Sequence, residues 1–110
     1  MQDIFVTRDC RGARINLTHG AWQHVCTEHP EVSDCEALVR QAVEQPHILV
    51  LSINGSFHYH LFGCGIGVYA SLYLRVIAVS SGGVLSIKTA YFTPSFSEGT
   101  ILCGTKTALP

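Results

Sequence analysis

His24 and His29 stand with Glu28 and Glu31 in one short stretch of the chain, next to its only tryptophan, Trp22. An imidazole suits proton transfer near neutral pH because its pKa already lies in that range. Residues five apart on a helix are rotated by roughly 140° from each other, since each residue adds about 100°. The two histidines therefore cannot share one helix face, although one could face the core and the other a cleft. Glu31, which follows Pro30, either orients a histidine or starts the next turn.

Cations and hydroxyls follow on two later strand-like segments, which are joined by Gly82-Gly83. If the turn is tight, Arg75 and Lys88 lie opposite each other, and two adjacent cations would require an anion between them. If a three-residue loop with a bulge shifts the register by one residue, Arg75 instead shares its face with Thr89 and Tyr91. In either register, a cation flanked by hydroxyls on a sheet suits a phosphate group.

His58 and His60 alternate with aromatic residues, as in a half-exposed strand, and Cys64 follows closely. Histidines at i and i+2 share one strand face, so a zinc site is an alternative, but no motif supplies a fourth ligand. The segment 63–67 contains three glycines and superficially resembles a nucleotide-binding loop. Neither a helix pattern nor a GKS or GKT sequence follows it. We therefore expect neither a metal nor a cofactor.

The bulk composition indicates one globular domain spanning residues 1–110. Hydrophobic residues make up 47% of the chain and charged residues 14%, which separates it from disordered proteins. The net charge of −1 provides no overall positive field. That balance counts against a general nucleic-acid coat protein but not against a small nuclease with a focused site.

Cysteine usage and the first residues of the chain predict a cytoplasmic protein. Five cysteines are scattered without a CxxC motif, and the first residues are polar, unlike a signal peptide. This pattern predicts reduced, mostly buried thiols. The longest apolar run, around residues 76–79, is too short to cross a bilayer, so we expect no membrane association.

The spacing of apolar residues predicts two short helices and a run of strands. The first helix is expected from the N-cap Thr18 to the stop at Pro30, and the second from a capping box at Ser33 and Glu36 to just before Pro46. Strands are predicted over residues 4–6, 14–17, 48–53, 57–61, 68–80 and 84–93, and around residue 102. The fold class is therefore α+β, with two N-terminal helices packed on a mainly antiparallel sheet of four or more strands.

Three stretches resemble small phage and bacterial nuclease-like domains of the barnase–EndoU–colicin–RelE superfamily, and together they span residues 14–102. They are Arg14-Ile15-Asn16-Leu17-Thr18 with Trp22-x-His24-Val25 and His29-Pro30-Glu31; the junction from Val39 to Pro46 with Ile48; and Tyr73-Leu74-Arg75-Val76-Ile77-Ala78-Val79, a Gly-Gly turn and Lys88-Thr89-Ala90-Tyr91-Phe92-Thr93. The resemblance implies metal-independent cleavage of RNA. In that reaction a base takes the proton of the ribose 2′-hydroxyl, the 2′-oxygen attacks phosphorus, cations stabilise the charge and an acid protonates the leaving 5′-oxygen.

The resemblance also implies a role for each matching residue. His24 corresponds to the acid–base residue, Arg75 to the phosphate clamp, and Thr89 to a hydrogen-bond donor for a phosphate oxygen. Further candidates for the same site are His29, Lys88 and Tyr91.

Implied partners are an RNA substrate and an antitoxin or immunity protein that restrains a toxin or phage-conflict effector. One departure is that such domains carry a basic segment after the first sheet strand, whereas residues 57–69 contain no lysine or arginine. The alternative function is a non-catalytic interaction domain on the same fold. It would use the apolar segment 57–69 as a surface for a protein partner or for a second copy in a homodimer.

Overall fold

The computed structural model describes residues 2–104, which form one open, mixed sheet of seven strands with two helices. The strands are β1 Asp3–Arg8, β2 Arg14–Thr18, β3 Ile48–Leu51, β4 Phe57–Phe62, β5 Tyr73–Ser81, β6 Val84–Thr93 and β7 Thr100–Cys103; the helices are α1 His19–Glu28 and α2 Glu36–Glu44, and short 3₁₀ turns cover Pro30–Val32 and Gly67–Tyr69. Neither helix has the length and apolar character needed to cross a membrane, as judged over these residues.

The predicted α+β class is confirmed; the sheet has seven strands, more than the four that the prediction gave as a minimum, and the helices are not N-terminal. The strand order is β1-β2-β6-β5-β4-β3-β7, and both helices lie between β2 and β3 in the chain. The parallel pairing of β2 with β6 adds the β1–β2 hairpin to one side of the four antiparallel strands β6, β5, β4 and β3. The pairing of β7 with β3 adds a strand to the other side. Both pairings join distant parts of the chain, so local sequence patterns do not reveal them.

The helix boundaries confirm one predicted cap and contradict the other. Thr18 is the N-cap of α1, and its Oγ1 accepts a hydrogen bond from the Ala21 N–H at 3.1 Å. The predicted capping box at Ser33 is wrong, because α2 has Cys35 at its N-cap and no side chain caps it. Ser33 instead closes the 3₁₀ turn that Pro30 begins, donating its N–H to the Pro30 carbonyl at 3.1 Å.

The hairpin of β5 and β6 resolves the two registers that the sequence left open. Gly82 and Gly83 form a two-residue turn with positive φ at both positions, as tight hairpins require. A bulge at Lys88 then shifts the pairing by one residue, so that Arg75 lies opposite Tyr91. The predicted opposition of Arg75 and Lys88 is therefore wrong. The alternative, in which Arg75 shares its face with Tyr91 and Thr89, is confirmed, although the bulge lies within β6 instead of in a longer loop.

The sheet buries apolar residues on both faces. The main core lies between the sheet and the helices, where strand residues such as Leu74 and Val76 are fully buried with Val39 of α2. Alternation along each strand turns the neighbouring side chains to the other face. That second face also carries buried side chains, and they lie outside the main core: Ile48, Val50, His60 and Tyr73. We call it the outer face.

Candidate active site

Three of the predicted site residues meet at the outer face. The Tyr91 hydroxyl accepts a hydrogen bond from Arg75 Nη1 at 3.0 Å, and the guanidinium carbon of Arg75 lies 5.5 Å from the centre of the Tyr91 ring. The His29 ring lies 5.2 Å from the same ring centre, tilted by 39°. An imidazole, a phenol and a guanidinium are therefore joined through Tyr91.

His29 reaches Tyr91 because α1 ends one residue before it. His29 is the C-cap of α1, with φ −134° and ψ 72°, so its side chain leaves the direction that the helix would impose. Pro30 begins the next turn, and Glu31 in that turn brings Oε2 to 3.7 Å from His29 Nδ1. The two side chains are 32% and 26% exposed, which leaves them accessible to a substrate. A carboxylate near Nδ1 orients the imidazole and leaves Nε2 for proton transfer.

Arg75 is fixed by three hydrogen bonds to three different groups. In addition to Tyr91, its Nε donates to His60 Nε2 at 3.2 Å and its Nη2 donates to the Ser95 carbonyl at 2.8 Å. A guanidinium carries about five N–H donors, so each terminal nitrogen keeps one N–H without a hydrogen bond to any group of residues 2–104. Two such donors in one plane match two oxygens of a phosphate.

His60 is a positioning residue that the sequence analysis did not identify. It is fully buried, and its Nε2 accepts from both Arg75 Nε and the Ser97 backbone N–H, the latter at 3.1 Å. Burial and the nearby Arg75 charge lower the pKa of His60 to about 3. The ring is therefore neutral, with its proton on Nδ1 and facing the Ile48 carbonyl at 3.4 Å. In the sequence, the feature that could have indicated this role is the position of His60 between Tyr59 and Leu61 in a strongly apolar strand.

His58 also holds the segment that follows β6. Its Nδ1 is hydrogen-bonded to Ser97 Oγ, and its Nε2 lies 2.8 Å from Ser56 Oγ. Burial and the charge of Arg75 lower the pKa of His58. The loop from Ser95 to Gly99 is thus attached to the outer face by both strand histidines and by Arg75.

The alternative zinc site on His58, His60 and Cys64 is wrong. Both histidines use their ring nitrogens in hydrogen bonds, and Cys64 Sγ instead faces the Leu61 carbonyl at 3.9 Å. Between residues 2 and 104, no three side chains of histidine, cysteine, aspartate or glutamate converge where they could hold one metal ion.

His24 and Lys88 lie apart from this cluster. The His24 side chain is 62% exposed, and its Nε2 lies 3.1 Å from Glu28 Oε1. His24 and Lys88 line a separate open cavity of about 420 Å³. Over the described part of the chain, no hydrogen bond, ion pair or ring contact joins either residue to Arg75. The Thr89 hydroxyl is buried without a hydrogen-bond partner within residues 2–104 and so does not face open surface.

A second cavity, of about 330 Å³, opens beside Glu31. Leu38 of α2, Phe92 of β6 and the glycine-rich segment 64–69 form its walls, and the Tyr69 and Phe92 rings lie 4.8 Å apart. Gly65 permits this packing, because a Cβ there would lie 2.6 Å from Tyr69 Cβ. His29 and Glu31 therefore adjoin a largely apolar recess that has the size of a small ligand site.

The segment 57–69 is not the apolar surface that the interaction hypothesis required. Its first half is β4, an internal strand in which Tyr59, His60 and Leu61 are buried. Only Ile66 and Val68 in its second half are large hydrophobic side chains with high exposure, at 88% and 79%.

Comparison with family models, with curated proteins and with solved structures finds no match for this chain. Membership of the barnase–EndoU–colicin–RelE superfamily therefore stays a prediction from the sequence.

Proposed function

We propose that this domain is a metal-independent ribonuclease whose active site is formed by His29, Tyr91 and Arg75. The observation that carries the proposal is the contact of all three functional groups through Tyr91, from three separate elements of the fold. Transesterification of RNA needs a proton acceptor, a cation and a proton donor around one phosphate, and these side chains supply each of them.

Each residue has a role that follows from its contacts. His29 Nε2 takes the proton of the ribose 2′-hydroxyl, with Glu31 near Nδ1 stabilising the imidazolium that forms. The two free N–H groups of Arg75 donate to the phosphate oxygens as negative charge develops there. Tyr91 donates its proton to the leaving 5′-oxygen, because its hydroxyl oxygen already accepts from Arg75 and its own hydrogen has no acceptor among residues 2–104. The products are a 2′,3′-cyclic phosphate and a 5′-hydroxyl.

We assign the acid–base role to His29 instead of His24. A general base must lie within hydrogen-bond reach of the group that it deprotonates while the phosphate contacts the cation. His29 shares a ring contact with the tyrosine that binds Arg75, whereas His24 pairs with Glu28 on the exposed side of α1. Single-stranded RNA is the substrate class, since its 2′-hydroxyl and phosphate are free to adopt the in-line geometry.

The test is cleavage of end-labelled single-stranded RNA in EDTA by the wild type, His29→Ala and the matched control His24→Ala. We expect 2′,3′-cyclic ends from the wild type and a loss of at least about 100-fold in His29→Ala, the usual contribution of a general acid–base residue. His24→Ala should retain activity within about threefold, because its side chain lies on an exposed helix surface. Circular dichroism and Trp22 fluorescence verify folding of all three proteins.

Two outcomes contradict the proposal in different ways. Loss of cleavage in His24→Ala with normal cleavage in His29→Ala would move the acid–base role back to His24. Failure of folded wild-type protein to cleave several unrelated RNAs would reject the ribonuclease function. Expression in a bacterial host gives a further check, since an active ribonuclease without its inhibitor arrests growth whereas an interaction domain is tolerated.

A further inference from the structure

Cys10 and Cys103 bring their sulfur atoms within 2.8 Å of each other, although 93 positions separate them in the chain. Cys10 lies in the connection between β1 and β2, and Cys103 is the last residue of β7. All five cysteines are free and half-buried, and in the described part of the chain no other two sulfur atoms are hydrogen-bonded to each other. A disulfide needs an S–S distance of about 2.05 Å, which a small side-chain movement would achieve.

The backbone around Cys10 is fixed before any bond forms. Its N–H donates to the Val43 carbonyl at the end of α2, at 3.1 Å. The neighbouring Asp9 carboxylate is buried and accepts hydrogen bonds from the Arg11 N–H at 2.9 Å and from the Tyr59 hydroxyl at 2.7 Å. Cys10 is therefore held from both sides by buried contacts to other elements.

Cys103 is fixed equally well from the opposite end of the chain. It pairs with Leu49 of β3 within the sheet. The next residue, Gly104, has φ +77°, and a Cβ there would lie 2.1 Å from the His47 carbonyl oxygen. The chain leaves β7 in tight contact with the start of β3, so the backbone of Cys103 is held in place next to that strand.

We propose that Cys10 and Cys103 are a disulfide-forming pair, oxidised by exchange with a small-molecule disulfide of the glutathione class. One thiolate attacks the glutathione disulfide and releases one glutathione thiol, leaving a mixed disulfide. The second cysteine loses its proton, attacks the protein-side sulfur and releases the second glutathione. Two protein thiols are oxidised to one disulfide, and one glutathione disulfide is reduced to two thiols. This proposal does not depend on the ribonuclease activity.

Burial, the Cys103 sulfur and the charge of Asp9 raise the pKa of the Cys10 thiol. Since only an ionised thiol attacks a disulfide, this slows oxidation of the pair near neutral pH. The bond would tie the edge strand β7 to the β1–β2 connection and would close a loop of nearly the whole chain.

The experiment equilibrates the full chain with reduced and oxidised glutathione, blocks free thiols by alkylation and maps the peptides without reduction. We expect one crosslinked peptide pair containing Cys10 and Cys103, and a rise in Tm of about 10 °C for the oxidised form, because closing a long loop constrains the unfolded chain. Cys10→Ser should accumulate glutathione on Cys103. Cys26→Ser is the matched control, a half-buried thiol without a sulfur partner, and should crosslink as the wild type does.

A folded wild-type protein in which Cys10 and Cys103 both remain open to alkylation after equilibration with oxidised glutathione overturns the proposal. A crosslink that joins other cysteines, within or between molecules, overturns it as well. The peptide map of the wild-type protein alone decides between these outcomes. The test therefore remains valid even if a serine variant fails to fold.

Discussion

At the scale of single residues, His60 makes stability depend on pH. Its folded-state pKa is about 3 against an ordinary value of 6.5, so between these values the unfolded chain binds a proton that the folded chain does not. Lowering the pH through that window therefore favours unfolding, by about 1.4 kcal/mol per pH unit for this group alone. We expect the free energy of unfolding, measured in urea, to fall between pH 6 and pH 4 with this contribution.

His60→Gln is the variant that isolates this contribution, because glutamine keeps a hydrogen-bonding group and does not titrate. The variant should be less stable at pH 7, where it loses the contacts to Arg75 and Ser97, and its stability should fall less steeply with acid. An unchanged slope would show that other groups cause the acid sensitivity, with His58 as the next to test.

The sequence revealed the chemistry of the site residues more readily than their partners. Arg75 and Tyr91 were predicted as a cation and a hydroxyl on one face, and the bulged register brings them together. The resemblance points to His24 through the Trp22-x-His24 pattern and leaves His29 as a further candidate. The helix ends at Glu28, and one non-helical residue sets the direction of the imidazole that meets Tyr91. A helix end is uncertain by a residue or two in any sequence pattern, so this detail was not predictable.

At the scale of elements, the β5–β6 hairpin depends on its two-glycine turn. Gly83 has φ +82°, and an added Cβ would meet nothing within 4 Å, so Gly83→Ala tests backbone conformation without a steric clash. We expect a loss of about 1–2 kcal/mol in the free energy of unfolding. Gly20→Ala in α1 is the matched control, with equally open space and no positive φ, and should be neutral or gain about 0.5 kcal/mol. Equal effects of the two substitutions would contradict the role of positive φ.

The elements with a clear hydrophobic period were predicted well, and the irregular joints were not. The strand β6 was predicted at its observed bounds, and Thr18 was recognised as a helix cap. The strand predicted from residue 68 begins at Tyr73, because positive φ at Gly67 and a 3₁₀ turn interrupt the extended chain. Apolar composition alone does not distinguish an exposed turn from the strand that follows it.

At the scale of the whole molecule, the outer face is completed by a segment that no local pattern connects to it. The loop after β6 crosses this face, where Ser97 contacts His58 and His60 and Ser95 contacts Arg75, before the chain joins the sheet edge as β7. Its partners belong to β4 and β5, 20 to 39 positions earlier in the chain. The sequence therefore predicted residues of the site but not the segment that holds Arg75.

Gly99 connects this loop to β7. Its replacement tests whether the loop and β7 depend on each other for their positions on the outer face. It has φ +148°, and a Cβ there would lie 2.2 Å from the Leu51 carbonyl oxygen, so Gly99→Ala must displace backbone. We expect a loss of about 3 kcal/mol or more in the free energy of unfolding. Hydrogen exchange of the β7 amides and of the Ser97 amide should accelerate together, because both depend on the same joint.

Gly83→Ala again supplies the control, since it has positive φ without a close contact and should leave exchange at β7 and Ser97 unchanged. If Gly99→Ala frees β7 while the Ser97 amide stays protected, the loop is held by His58, His60 and Arg75 alone. If both are released, the edge strand and the histidine contacts act as one unit. In that case the position of Arg75 depends on β7 as much as on β5, the strand to which Arg75 belongs.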